Sequence, residues 1–135
     1  MAARDTTKVL STPKVMWNGR VIPILPDSFK YAGGGELKAR AVSSGGSTVS
    51  LVVGLNAEEL MTEGEFEVPN TAAMMEWVDE IITLRNNAEA STLRAIEDTD
   101  QRAFSEVYLK NKPDREYKAE GSIKIEWVGN NEQLI

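Results

Sequence analysis

Three glutamates at alternate positions are the residues whose spacing comes closest to a chemical site. Glu63, Glu65 and Glu67 fall on one side of a predicted strand, whereas Phe66 and Val68 fall on the other. Such a row of carboxylates could hold a divalent cation, because hard cations take oxygen ligands. Same-side neighbours on a strand lie about 7 Å apart, a spacing more typical of a solvated surface. We therefore expect an acidic surface here and no metal site.

Two further segments share only part of the pattern of a ligand-binding loop. Residues 33–35 are three glycines, but a dinucleotide-binding loop needs a helix directly after it, and the residues that follow alternate like a strand. We expect these glycines to act as a backbone joint. The acidic segment 97–100 begins like a calcium loop, yet Ala103 and Leu109 stand where that loop requires glycine and glutamate. Neither segment predicts a cofactor.

The composition removes most catalytic chemistry. The chain contains no cysteine and no histidine. Thiolate nucleophiles and Cys/His zinc sites are therefore excluded, as is the side chain best suited to proton transfer near neutral pH. No Gly-x-Ser-x-Gly motif accompanies the carboxylates. We predict a protein that is not an enzyme and that carries no cofactor and no metal.

Length and charge point to one domain in an aqueous compartment. The chain has 135 residues, 41% of them hydrophobic, and a net charge of -6. Its longest aliphatic run, Leu51 to Val53, is far too short to span a bilayer, and the N-terminus lacks the apolar centre of a secretory signal. We expect a cytoplasmic product without a membrane segment. A surface of this sign repels phosphate, so tight DNA binding is not expected.

Residues 35–54 predict a long β-hairpin with one apolar side. Its expected tip is a flexible turn of small residues, namely Ser43, Ser44, Gly45, Gly46 and Ser47. The apolar side alternates along both strands and consists of Leu37, Ala39, Ala41, Val49, Leu51 and Val53. Two isolated strands are marginally stable in water unless something covers them. The missing partner of this hairpin could be another chain.

The remaining pattern predicts a β-rich domain with a single helix. Asn18-Gly19 between two apolar runs is the strongest short hairpin signal, because a type I′ turn needs positive φ at both central residues. A helix is expected from Asn70 or Thr71 to residues 86–87. Its apolar stripe, Met74, Trp77, Val78 and Ile81, should pack on the sheet. Later strands are expected at 92–96, 103–109 and 122–128.

The order of these elements resembles a known family. An Asn-Gly hairpin within VMWNGRVIPIL comes first, followed by the long hairpin. GEFEVPNT then precedes the single helix, and VYLKNKPDREYKAEGSIKIEWVGN closes the pattern. Over residues 14–130 this resembles the tail tube proteins of long-tailed bacteriophages, particularly the short forms of Mu-like contractile tails, to which type VI secretion tube proteins are related. Residues 1–13 would then be an N-terminal arm, and residues 131–135 a C-terminal tail.

The resemblance implies a β-sandwich or partly open barrel with one flanking helix. Subunits of this kind form hexameric rings that stack into a hollow tube in the virion tail, which is assembled in the host cytoplasm. Phage DNA passes through the tube without specific binding, and tail sheath, tape measure and baseplate proteins are the other expected partners. The long hairpin would build the ring wall and reach the next ring with its tip, and the three glutamates would face the lumen or the outer surface.

A different class of protein remains open at this stage. A small β-barrel module that binds a ligand or a partner would have the same element content. Such a module needs a concave apolar pocket that contains a few polar groups.

Overall fold

The computed structural model describes residues 9–33, 37–43, 49–55, 61–98, 100–130 and 133–134. These residues form ten strands and one helix. In chain order they are β1 (Lys14–Trp17), β2 (Arg20–Ile22), β3 (Lys30–Gly33), β4 (Leu37–Ser43), β5 (Val49–Leu55), β6 (Thr62–Pro69), α1 (Ala72–Asn86), β7 (Ser91–Glu97), β8 (Asp100–Leu109), β9 (Ser122–Gly129) and β10 (Gln133–Leu134). The prediction of a mainly β fold with a single helix is confirmed.

Eight strands form one antiparallel sheet. Seven follow one another in the order β2-β1-β7-β8-β9-β6-β3, and β10 pairs with β8. The sheet begins at β2 and ends at β3, so it is not closed into a barrel. The chain itself runs from one edge to the other through residues 23–29. Within that segment, the Leu25 amide donates to the Glu67 carbonyl at 2.8 Å, and the Glu67 amide donates to the Ser28 hydroxyl at 3.2 Å.

The first hairpin forms as the Asn-Gly signal predicts. Asn18 and Gly19 have φ values of 51° and 80°, the left-handed conformation that a type I′ turn requires. The second strand of this hairpin, β2, ends at Ile22. Pro23 follows directly, and because proline has no amide hydrogen it cannot extend the ladder.

The core lies between the inward sides of the sheet and the helix. Thr71 caps α1, its hydroxyl accepting from the Met74 amide at 3.3 Å. Trp77 meets the Trp17 ring edge-on at 5.8 Å and lies 6.4 Å from Phe66. The buried residues of the helix are the four of the predicted stripe, Met74, Trp77, Val78 and Ile81. They share one core cluster with inward residues of six strands, including Val15, Trp17, Ile22, Phe66, Val68, Leu93, Phe104, Val107, Ile123, Ile125 and Trp127.

Three features differ from the sequence-based expectation. Residues 30–33 form a strand, although the glycine run that begins at Gly33 indicated only a joint. A Cβ at Gly33 would lie 2.7 Å from the Thr62 Cα, so glycine permits the close pairing of β3 with β6. β8 begins at Asp100, three residues earlier than predicted, and its register with β7 shifts near Glu106, whose φ is 49°. The C-terminal residues Gln133–Leu134 pair with β8.

We predict that Gly64→Ala destabilises the fold. Gly64 lies opposite Trp127 in the β6–β9 ladder, and an added Cβ would collide with the indole ring. Overpacking of this kind costs about 1 to 3 kcal/mol. Gly54→Ala is the matched control, because a Cβ there meets nothing within 4 Å, and we expect a change below about 0.5 kcal/mol. Urea denaturation measures both, and equal effects would contradict the packing described.

Trp77→Ala should be the most damaging single change in the helix. Removal of a buried aromatic side chain costs about 3 to 5 kcal/mol. Glu76→Ala, at the exposed neighbouring position, is the control and should change the free energy of unfolding by less than about 0.5 kcal/mol. A loss below about 1 kcal/mol for Trp77→Ala would show that this side chain does not support the core.

Candidate functional site

The hairpin β4–β5 forms a separate two-stranded sheet. Its register runs from Leu37↔Leu55 to Ser43↔Val49 without a shift. Ala39 lies opposite Val53 and Ala41 opposite Leu51, so the predicted apolar positions occupy one side of the ladder. Ala39, Ala41 and Val53 are exposed, the last to 57%. Within the described part of the chain, neither strand pairs with the larger sheet.

The predicted hairpin tip is only partly described. Ser43 is the last residue of β4. Ser44, Gly45, Gly46 and Ser47 lie outside the described residues.

The three glutamates of β6 point to the outward side of the sheet, and each has a polar partner. The Lys110 ammonium lies 3.3 Å from Glu63 Oε1. The Ser122 hydroxyl donates to Glu67 Oε1 at 2.9 Å. Over the residues that the structure describes, no three acidic side chains are grouped so that they could hold a metal ion.

Glu65 is the best-paired of these carboxylates. The Lys30 ammonium lies 2.7 Å from its Oε1, and the Lys124 ammonium lies 2.7 Å from its Oε2. Hydrogen bonds from Lys124 first, and then from Lys30, lower the pKa of the Glu65 carboxyl, and Glu65 in turn raises the pKa of Lys124. The sequence predicts an acidic surface on this face of β6. The structure instead shows a network in which negative and positive side chains alternate.

A second site, which the sequence-based reasoning missed, is a cleft of 440 Å³ near the edge strand β3. Glu97 lies in its wall and is only 6% exposed. The signal was present in the alternation of β7. Ser91, Leu93 and Ala95 point inward, and Glu97 continues the same side. Glu97, from the segment set aside as a calcium loop, thus ends β7 opposite Asp100 of β8 and carries a buried carboxylate.

No described helix is long and apolar enough to cross a lipid bilayer.

Acid should weaken the contribution of Glu65 to stability. Because its folded-state pKa lies below the unfolded value, the stabilisation is present above the unfolded pKa and is lost as pH falls through the folded pKa. Glu65→Gln should therefore be less stable than the wild type at pH 7, and the difference should shrink toward pH 2. Glu89→Gln, at an exposed position after the helix, is the control. Urea denaturation at several pH values tests this, and a difference independent of pH would refute the proposed ion pairs.

Comparison of the sequence with protein-family models gives no match, and comparison with curated proteins gives no significant relative.

Proposed function

We propose that the protein is a structural subunit of a phage tail tube, which assembles into stacked hexameric rings that conduct DNA. The observation that carries this proposal is the β4–β5 hairpin, a seven-residue ladder with exposed apolar positions and no strand partner among the described residues. The order of elements, from the Asn-Gly hairpin to the closing strand, resembles that of phage tail tube proteins. We infer the kind of assembly, stacked hexameric rings, from this resemblance.

A two-stranded ladder of this length needs a covering surface. Isolated hairpins are marginal in water, and an exposed strand edge is a template for pairing with another chain. Val53 and Ala41 lie on the side that a neighbour would cover. Pairing of hairpins around a closed ring satisfies every edge, because the last subunit meets the first.

The open edges of the larger sheet favour the same conclusion. Among the described residues, β2 and β3 each have one neighbour in the sheet, and Val21 of β2 is 50% exposed. β2 is short and is followed by Pro23, features that restrict edge pairing. The β3 edge, which leads along the chain toward the hairpin, is the better candidate for a subunit contact.

The charge of the chain suits a conduit. DNA affinity rises steeply with the number of phosphates that lysine and arginine neutralise. With a net charge of -6, the subunit offers little general attraction for DNA. A polymer in transit would therefore not be retained by the wall.

Electron microscopy of the purified protein tests the proposal. We expect rings or tubes of uniform diameter with six-fold symmetry in projection. A protein that stays monomeric at high concentration, in both low and high salt, would refute the tube function.

Charged substitutions on the apolar side of the β4–β5 hairpin should prevent assembly without unfolding the subunit. Ala41→Asp and Val53→Asp place charges on exposed positions, so we expect the subunit to fold normally and to stop forming tubes. Val9→Asp is the matched control, since Val9 is 84% exposed and lies outside the hairpin. Circular dichroism checks the fold and sedimentation measures assembly. If the hairpin variants assemble normally, or if all three fail alike, the hairpin is not the specific contact.

The alternative, a ligand-binding module, is favoured by one observation, the cleft beside Glu97. Its volume of 440 Å³ lies within the usual range for a small-molecule pocket, which is about 300 to 1,000 Å³. Self-assembly and ligand binding do not exclude each other, and they are measured separately.

A further inference from the structure

The turn between β1 and β2 carries a chemically reactive pair of residues, Asn18-Gly19. In asparagine deamidation the backbone nitrogen of the next residue attacks the side-chain Cγ and a C–N bond forms. The side-chain NH2 group takes up the proton of the attacking nitrogen and leaves as ammonia. Water then opens the succinimide to aspartate or isoaspartate. Glycine speeds the attack, because it has no Cβ to obstruct its nitrogen. Both residues are exposed, so water reaches the turn.

Strand β7 holds the Asn18 side chain by both ends of its amide. The Thr92 amide donates to Asn18 Oδ1 at 2.9 Å. Asn18 Nδ2 donates to the Ser91 hydroxyl at 3.2 Å. A backbone N–H can only donate, so its contact identifies which end of the side chain is the oxygen. The reactive Cγ is therefore tied to a neighbouring strand.

The side chain of Asn18 also completes the pairing between β1 and β7. The Asn18 amide donates to the Thr92 carbonyl at 2.9 Å, directly beyond the last β1–β7 pair, Trp17↔Leu93. Asn18 thus pairs with both backbone groups of Thr92, once through its main chain and once through its side chain. On the other side of β7, the register with β8 shifts between Ser91 and Leu93. The side chain therefore supports β7 where its second ladder is irregular.

Ring closure at Asn18 is incompatible with these hydrogen bonds. The Gly19 nitrogen must come within bonding distance of Cγ, so the side chain has to turn away from β7 and back onto its own main chain. That movement removes the partner of the Ser91 hydroxyl, on a residue that is only 3% exposed. It also disturbs the turn, in which φ is 51° at Asn18 and 80° at Gly19. Cyclisation therefore requires the hairpin to open locally.

We propose that Asn18 is a latent deamidation site, protected by β7 in the folded subunit and reactive when the β1–β2 hairpin opens. Neither product rebuilds the contacts in full. Aspartate keeps an oxygen for the Thr92 amide but has no N–H group for Ser91. Isoaspartate also lengthens the main chain within a two-residue turn, whose geometry tolerates no insertion. The covalent structure therefore records each opening that leads to reaction. This inference does not rest on the tube function.

Tryptic peptide mapping by mass spectrometry measures the reaction. Trypsin cleaves after Lys14 and Arg20, so Asn18 lies in the peptide VMWNGR, which contains no other asparagine and no glutamine. The full chain is incubated at mildly alkaline pH, in buffer and in guanidinium chloride, before digestion. We expect deamidation to be at least about tenfold slower in buffer, the factor that two hydrogen bonds of ordinary net strength supply. Equal rates in the two conditions, or no reaction in the denaturant, would overturn the proposal.

A pair of serine variants locates the protection. Ser91→Ala removes the acceptor of Asn18 Nδ2 and should raise the rate in buffer several-fold. Ser122→Ala is the matched control, because its hydroxyl donates to Glu67 on a distant strand, and it should leave the rate unchanged. An unchanged rate in a folded Ser91→Ala protein would overturn the role of β7. If circular dichroism shows that Ser91→Ala does not fold, the two conditions on the wild type decide.

Gly19→Ala tests the route of the reaction. In guanidinium chloride this variant should deamidate Asn18 several-fold more slowly than the wild type, because the added Cβ obstructs the attacking nitrogen. Labelling by an isoaspartyl methyltransferase should detect isoaspartate in the wild type, since only the succinimide route forms it. Equal rates, or aspartate as the sole product, would overturn the proposal. The measurement follows one peptide in monomeric and assembled protein alike, so its failure and a failure to form tubes are independent results.

Discussion

The packing of Trp77 against two distant strands holds the two sides of the sheet together. Trp17 lies in β1, next to one edge of the sheet, and Phe66 lies in β6, next to the other edge. Trp77 contacts both rings, and the two rings also contact each other at 6.4 Å. Because the ladder does not close, apolar burial rather than continuous hydrogen bonding must keep the edges together. Large aromatic side chains suit this task, since each buries extensive surface.

The open sheet also explains where the cleft beside Glu97 lies. The segment 23–29 crosses from one edge to the other, and the cleft forms beside it. Phe29 belongs to both regions, because its ring stacks on Phe66 and Trp127 at 6.1 and 6.3 Å and also lines the cleft. Phe29 therefore links the cleft to the core cluster, against which it packs.

Local patterns in the sequence predicted the local structure well. The Asn-Gly turn, the alternation of β4 and β5 and the stripe of α1 each depend on residues close together in the chain, and all three appear as expected. The strand β3 was missed because its one glycine, Gly33, permits a close approach to Met61 and Thr62, about thirty positions away. The bulge near Glu106 was missed for a related reason, since a non-glycine residue with positive φ carries no composition signal.

The candidate sites were less predictable, because they depend on pairing between strands. In the sequence, Glu97 is recognisable only as part of the acidic segment 97–100. It is buried because it is the last of the inward-pointing residues of β7. The cleft needs residues 10–13, β3 and the β7–β8 hairpin together, and no local pattern joins these three segments. Sequence alone could indicate a carboxylate. It could not indicate the aromatic wall beside it.

The outward face of β6 shows how cross-strand partners change the meaning of a charge pattern. Glu63, Glu65 and Glu67 form an acidic row in the sequence, but the ladders place Lys30 opposite Glu65 and Lys124 opposite Glu67. Lysines paired in this way are poor phosphate ligands, because binding DNA would first break their ion pairs. Carboxylates paired in this way also repel phosphate less. If the rings form as proposed, this face can therefore lie on the lumen or on the outer surface without trapping DNA, and the apolar contacts of the hairpin, not this row of charges, decide how subunits are oriented.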